Sequence, residues 1–256
     1  MSTNIFKKAI DRSFRALGYE VRKTKKKRSY KREAFTEKDI ATIEFVMPYT
    51  MTSYERVYSV IEATKYIEEK NLPGSIVECG VWRGGSSMAI ARTLKECGNT
   101  RRDLYLYDTY EGMPEPTEHD VSIGGSDAAK RFEETKTTED RSSWCEASLE
   151  DVQQNMKLVG YNEEKIHYVQ GKVEETIPET CPEHIALLRL DTDWYESTKH
   201  ELAHLYPRLV QGGVLIIDDY GHWEGARKAV DEYFAQNNIT MLLNRIDYTG
   251  RVGVKS

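Results

Sequence analysis

No stretch of this 256-residue chain approaches the ~20 consecutive apolar residues that a membrane-spanning helix requires. No charged, apolar and small-residue leader pattern opens it either, so the expected location is cytoplasmic. Cysteine is scarce: Cys79, Cys97, Cys145 and Cys181 are widely spaced and form no CxxC pair. That excludes a disulfide-stapled scaffold and a cysteine-based zinc site, and it fits a reduced compartment. A dinucleotide fingerprint GxGxxG is also missing, because Trp82 stands where the second glycine would follow Gly80. No internal repeat is visible, which removes solenoids and propellers from consideration.

Net positive charge is confined to the N-terminal segment of the chain. Net charge is −6, yet residues 1–32 carry twelve Lys/Arg against Asp11 and Glu20, so the remainder is strongly acidic. An acidic body argues against a general nucleic-acid binder. The basic segment places Phe6, Ile10, Phe14 and Leu17 at helical spacing, with Lys7, Arg12 and Arg15 off that stripe. Residues 1–35 therefore read as a basic amphipathic extension. Two uses fit it: packing on the protein's own body or a second subunit, and peripheral contact with an anionic inner-membrane face or an acidic glycan.

From 36 to 74 the pattern predicts a helical cap of two helices broken near "MPYTMTS". Ser53 caps the second, and Val57, Val60, Ile61 and Ile67 form its apolar face. From 75 to 256, short apolar runs alternate with helical patterns: "SIVECG", "DLYLYD", "KIHYVQG", "HIALLRLD", "GGVLIIDD", then "ITMLLNRI" and "RVGVKS". Nearly continuous Val/Ile/Leu strands separated by helices predict an α/β fold. The sheet is expected to be seven-stranded and mostly parallel, with helices on both faces and an antiparallel C-terminal hairpin. Residues 110–147 fit no strong element, and a connection this long after the second strand reads as a substrate lid.

The strand ends carry the chemistry. "ECGVWRGGSS" gives Glu78, Gly80 and Gly84 an ExGxxxG spacing, a tight turn that lets a ligand approach backbone N–H groups. Asp108 ends the second strand, where a carboxylate can accept both ribose hydroxyls of an adenosine cofactor. Gly171, Lys172 and Val173 follow the third and are placed to flank an adenine. Asp191 and Asp193 end the fourth, and the adjacent Asp218 and Asp219 end the fifth. Two like charges ~4 Å apart repel by about 4 kcal/mol at an effective dielectric of ~20. Asp191, Asp218 and Asp219 are therefore expected to hold a hard cation such as Mg²⁺. The alternative for Asp193 or Asp219 is capping of the helix that follows.

"YTMTSYER", "VECGVWRGGS", "YDTYEGMPEP", "LLRLDTDWYESTKHELAHLYPRLVQGGVLIIDDYG" and "ARKAVDEYF" together resemble the macrocin O-methyltransferase (TylF/MycF) family. The resemblance runs from about residue 42 to the C-terminus. It implies a Rossmann-like class I methyltransferase fold and methyl transfer from S-adenosylmethionine to a sugar hydroxyl, with Mg²⁺. The acceptor would be a nucleotide sugar, a glycosylated natural product or a polysaccharide, and the chain a homodimer or higher homo-oligomer. The resemblance places the cofactor on the turn of Glu78, Gly80, Val81, Trp82, Arg83 and Gly84, with Ser86 beyond it. Asp108, Thr109, Gly171, Lys172, Val173 and Asp191 complete that set, with Thr52 and Ser53 as a cap over it. Asp191 is the first candidate for the general base, with His119 and His222 as alternatives. A catechol-type enzyme resembles this arrangement but has a Lys shortly after the first metal aspartate, where "DTDWYES" has Trp194. That reading and a non-catalytic adenosylmethionine-binding scaffold remain the alternatives.

Overall fold

The computed structural model describes residues 35–256 apart from Ser126 and Asp140. The expected amphipathic helix of the basic extension lies outside the described residues. The chain divides into two units at residues 40 and 41; the sheet and the site below belong to the second, and the first helix begins before that boundary.

Helix α1 (Glu37–Val46) opens on a reciprocal cap, Thr36 N donating to Asp39 Oδ2 at 2.9 Å and Asp39 N to Thr36 Oγ1 at 3.2 Å. Pro48 sits in the tight turn that follows, Met47–Tyr49. Helix α2 (Tyr54–Glu69) starts at Ser53, whose hydroxyl accepts from Arg56 N at 3.2 Å as the sequence predicts. Then come β1 (Ser75–Cys79), α3 (Gly85–Glu96) and β2 (Leu104–Asp108). The long connection folds into α4 (Ala128–Thr135) and a two-stranded hairpin, β3 (Lys136–Thr138) with β4 (Arg141–Ser142). This ordered structure is a difference from the sequence reading. Asp127 caps α4 and Phe132 is buried, but eight residues are too few for a periodic signal to stand out.

The chain continues through α5 (Leu149–Val159), β5 (Ile166–Gln170), α6 (Val173–Thr176), β6 (Ile185–Leu190), α7 (Tyr195–Leu205) and β7 (Leu209–Ile217). It closes with α8 (Glu224–Gln236), β8 (Asn244–Arg245) and β9 (Arg251–Val254). The main sheet has seven strands in the order β5-β2-β1-β6-β7-β9-β8, parallel except where β9 meets β7 and β8. The C-terminal hairpin is thus present, with β9 inserted beside β7. The expected strand over "ITMLLNRI" shrinks to two residues, and Leu242 within it is exposed.

Alternation along the strands divides the core. Ile76, Leu104, Leu106, Leu187, Val214 and Ile216 face α2, α3 and α5, and Val57, Val60, Ile61 and Ile67 of α2 belong to that same cluster. Val77, Tyr107, Leu188, Leu190, Leu215 and Ile217 face the opposite layer, with Leu202 and Leu205 of α7 and Val230 of α8. Three layers result, and the carboxyl ends of all five parallel strands open on one edge.

Candidate active site at the carboxyl edge of the sheet

Strand order reverses between β1 and β6, so the connections leaving these neighbours diverge and open a crevice above their ends. The turn after β1 must be glycine at Gly80: its φ is +81°, and an added Cβ would lie 1.9 Å from the Asp191 carbonyl oxygen. Trp82 follows with φ +46°, a strained conformation for a bulky residue. Asp108 braces this turn. Its Oδ2 accepts from Val81 N at 2.7 Å and Trp82 N at 3.0 Å, and its Oδ1 from Tyr110 N at 2.8 Å. The carboxylate expected to take ribose hydroxyls therefore has most of its acceptor capacity committed to backbone.

One side chain beneath the crevice gives it its form. Arg189, the one charged residue in the otherwise apolar β6, is 2% exposed. Its Nη1 donates to Glu78 Oε1 at 2.6 Å, and its Nη2 lies 2.8 Å from both Asp191 Oδ2 and Asp218 Oδ1. Glu78 and Arg189 are register partners on β1 and β6, while Asp218 follows β7. Arg56, from α2, donates to the other oxygen of Asp218 and pairs with Asp247 at 3.1 Å. Asp247 also accepts from Ser53 Oγ at 2.7 Å and from the N–H groups of Thr249 and Gly250. Burial alone would lower both arginine pKa values, but the acids hold both raised.

Asp191, Asp218 and Asp219 each present an oxygen within 4.8 Å of the others. Asp219 Oδ2 is buried without a hydrogen-bond partner. Burial, and after it the neighbouring acids, raise the pKa values of Asp191 and Asp219 despite the arginines. Asp193, at φ +66°, accepts from Trp223 Nε1 at 2.6 Å, and its carboxyl is pushed up to about 7 by burial and then by Asp191. Neither Asp193 nor Asp219 caps a helix. Helices α7 and α8 begin at Trp194 and Trp223 with no side-chain cap, and Tyr195 N donates instead to Asp120 Oδ1 at 2.7 Å.

Two lobes meet at this edge. The first, about 270 Å³, is lined by the acid trio with Thr52, Arg56, Val81, Trp82, Ser86, Arg189, Asp193 and His222. The second is lined by Gly80, Asp108, Thr109, Gly171, Lys172 and Val173. Asp191 lines both. Four of the expected cofactor residues line neither. Ser53 caps α2, Glu78 holds Arg189 from below, Gly84 starts α3, and Arg83 pairs with Asp151 at 2.7 Å. His222 stands in the first lobe 3.3 Å from Tyr248 Oη, its pKa lowered by burial and Arg56. His119 does not line it. That ring packs edge-on against Tyr195 at 4.8 Å and lies 3.5 Å from Lys228 Nζ.

The model of the Macrocin-O-methyltransferase (TylF) family matches residues 3–253. The chain belongs to this family. A Streptomyces olivaceus relative, an 8-demethyl-8-(2,3-dimethoxy-alpha-L-rhamnosyl)-tetracenomycin-C 4'-O-methyltransferase, is 33% identical over 79% of this chain and 74% of its own length. The mycinamicin III 3''-O-methyltransferase of Micromonospora griseorubida is 31% identical over 79% of this chain and 76% of its own. The solved structure of the O-methyltransferase NovP superposes with a TM-score of 0.72 at 30% identity, covering 81% of this chain and 82% of that one. As a macrocin O-methyltransferase family member, this chain is an S-adenosylmethionine-dependent O-methyltransferase.

For a divalent cation, which this family resemblance implies, the donors fit on the chain's own terms. Carboxylate oxygens suit a hard ion, one of them is an orphan, and the acids around the lobe outnumber the two guanidinium groups paired with them. Arg189, Arg56 and Asp247 were missed by the sequence reading. Arg189 alone left a signal, a charged residue inside "LLRLD" that a buried strand tolerates only when carboxylates meet it. Replacing it strips a buried cation from three acids, and breaking a buried pair costs about 3–5 kcal/mol. Arg189→Ala should lower the unfolding free energy by that amount in a denaturant titration. Arg83→Ala, which removes a half-exposed pair, should cost no more than about 1 kcal/mol.

Proposed function

We propose that this chain moves the methyl group of S-adenosylmethionine to a sugar hydroxyl, with Mg²⁺ or a similar divalent cation held by Asp191, Asp218 and Asp219. The observation that carries the reading is Asp191, which lines both lobes and belongs to the acid trio. Adenosylmethionine would occupy the second lobe, where Gly80 and Gly171 leave the backbone open and Lys172 and Val173 flank it. The acceptor hydroxyl would enter the first, so that donor and acceptor meet beside Asp191. The relatives named above methylate a rhamnosyl 4' position and a mycinamicin 3'' position by their names, which is why a sugar is the acceptor proposed.

When bound, a divalent cation supplies Lewis-acid polarisation that lowers the pKa of a hydroxyl held against it. The protein's own groups do the rest. Arg189 and Arg56 fix the rotamers of Asp191 and Asp218, so these carboxylates are set before any ligand arrives. Asp193 takes the acceptor proton: it faces the lobe, Trp223 orients it, and its raised pKa suits a base near neutral pH. This role passes to Asp193 from Asp191, whose Oδ2 is held by Arg189. Trp144 and Trp223 line the lobe and cluster with Trp194, the three ring centroids 5.0–6.2 Å apart, which makes that wall apolar.

A catechol-type reaction is disfavoured, because no lysine lines the first lobe among the described residues and Trp194 is buried in the tryptophan cluster. Among the described residues no helix is long and apolar enough to cross a membrane. Peripheral contact through the basic residues 1–35, a cytoplasmic location and a homodimer belong to this proposal; the first two rest on the sequence pattern and the homodimer on the family resemblance.

Removal of divalent ions with EDTA should abolish methyl transfer to sugar acceptors, and Mg²⁺ or Mn²⁺ should restore it. Asp191→Asn should be inactive with either ion, and full activity in chelator would sink the metal assignment. A base must be unprotonated, so kcat/KM should rise with pH and level at or below about 7, since a bound cation lowers the Asp193 value. Asp193→Asn should erase that limb and cut kcat by about 10²–10⁴-fold. An unchanged profile would reassign the base.

A further inference from the structure

The acceptor lobe holds a third guanidinium that the chemistry above does not use. Arg131 belongs to α4, on the lid, and lines the first lobe together with Trp144 and Cys145. Its side chain is exposed, and its guanidinium carbon lies 4.6 Å from the centroid of the Trp144 ring. Arg56 and Arg189, the other two arginines of this lobe, are bound to carboxylates. Among the described residues, no carboxylate lies within ion-pair distance of Arg131. Phe132, the next residue, is buried and roots α4, while Trp144 is itself held against Trp194 and Trp223. The arginine therefore rests on a fixed surface.

Seated over the indole, the guanidinium has its five donors in no hydrogen bond among the described residues. Its fork is preorganised to receive a planar or tetrahedral oxyanion by paired hydrogen bonds. The rest of the lobe rejects such a charge. Asp191, Asp193, Asp218 and Asp219 make one wall acidic, and Tyr49, Thr50, Met51 and Tyr248 add no charge elsewhere. An acceptor carrying one negative group thus has a single favourable orientation, with its hydroxyls toward the aspartates and its anion against Arg131.

We propose that Arg131 is a specificity-determining residue, and that the sugar accepted here carries an anionic substituent, a phosphate ester or a carboxylate, which the stacked guanidinium binds. The inference rests on the sugar O-methylation reading and narrows its substrate class. A neutral glycoside would leave the guanidinium without a partner and gain nothing from it.

Three acceptors separate the possibilities: UDP-glucose, methyl glucuronoside and methyl glucoside, assayed with the full chain, labelled adenosylmethionine and Mg²⁺. At least one anionic sugar should exceed methyl glucoside in kcat/KM by roughly tenfold or more, as a charge-assisted hydrogen bond allows. The two anionic arms tell phosphate from carboxylate. Arg131→Gln should collapse that preference through KM, and Arg131→Lys, which keeps the charge without the fork, should restore part of it. A purely structural clamp on Trp144 would instead lower all three acceptors together. Such a uniform loss, or a preference for methyl glucoside, overturns the proposal while leaving sugar methylation intact. If no sugar takes a methyl group, sugar methylation fails, and calorimetric binding of UDP-glucose and methyl glucuronoside decides the rest. Tighter binding of either than of methyl glucoside, weakened in Arg131→Gln, sustains anion recognition, and equal binding ends it.

Discussion

A guanidinium group buried under the carboxyl edge of a parallel sheet is the constraint from which this site follows. Removing such a cation from water costs several kcal/mol unless acids meet it with good geometry. Arg189 meets Glu78 from β1, Asp191 just past its own strand, and Asp218 just past β7. Those contacts tie the ends of three adjacent strands into one unit. They also dictate that acids sit at the floor of the crevice, which is why this edge of the sheet is already negatively charged.

The same arrangement leaves charge in excess. Arg189 and Arg56 satisfy Glu78, Asp247 and both oxygens of Asp218, yet Asp219 Oδ2 has no partner and Asp193 keeps a proton to about pH 7. A fold selected only for stability would replace such groups with apolar ones. Positive φ values at Trp82 and Asp193 mark the same few residues as strained. Strain, orphaned oxygen and uncompensated charge converge on the volume where the two lobes meet, which is the signature of a site arranged for ligands rather than for itself.

Legibility in the sequence followed the range of the interactions. The five parallel strands, the Ser53 cap and the glycine turn are written in neighbouring residues, and all were read. The acids could be placed at one edge because strand ends share an edge in this fold. What binds them was hidden: Arg56 and Asp218 are 162 residues apart, and Arg189 and Glu78 are 111 apart. Asp108 was read at the right place for a ribose, while its three bonds to backbone N–H groups depend on how the turn after β1 folds toward it. Asp193 was seen at the edge and offered only as a helix cap, because its raised pKa comes from burial that no local pattern records. The segment 110–147 was read as a lid from its length, while its helix and the seating of Arg131 over Trp144 need the tertiary fold.

The central claim is that the acid trio is a divalent-cation site preformed by Arg189. Titration of the full chain with Mn²⁺, followed by the loss of free-ion electron paramagnetic resonance signal, tests it without reference to any acceptor. One Mn²⁺ should bind per chain, compete with Mg²⁺, and disappear in Asp219→Asn, which removes the unpartnered oxygen. Absence of saturable binding, or binding that Asp219→Asn leaves unchanged, would contradict the account.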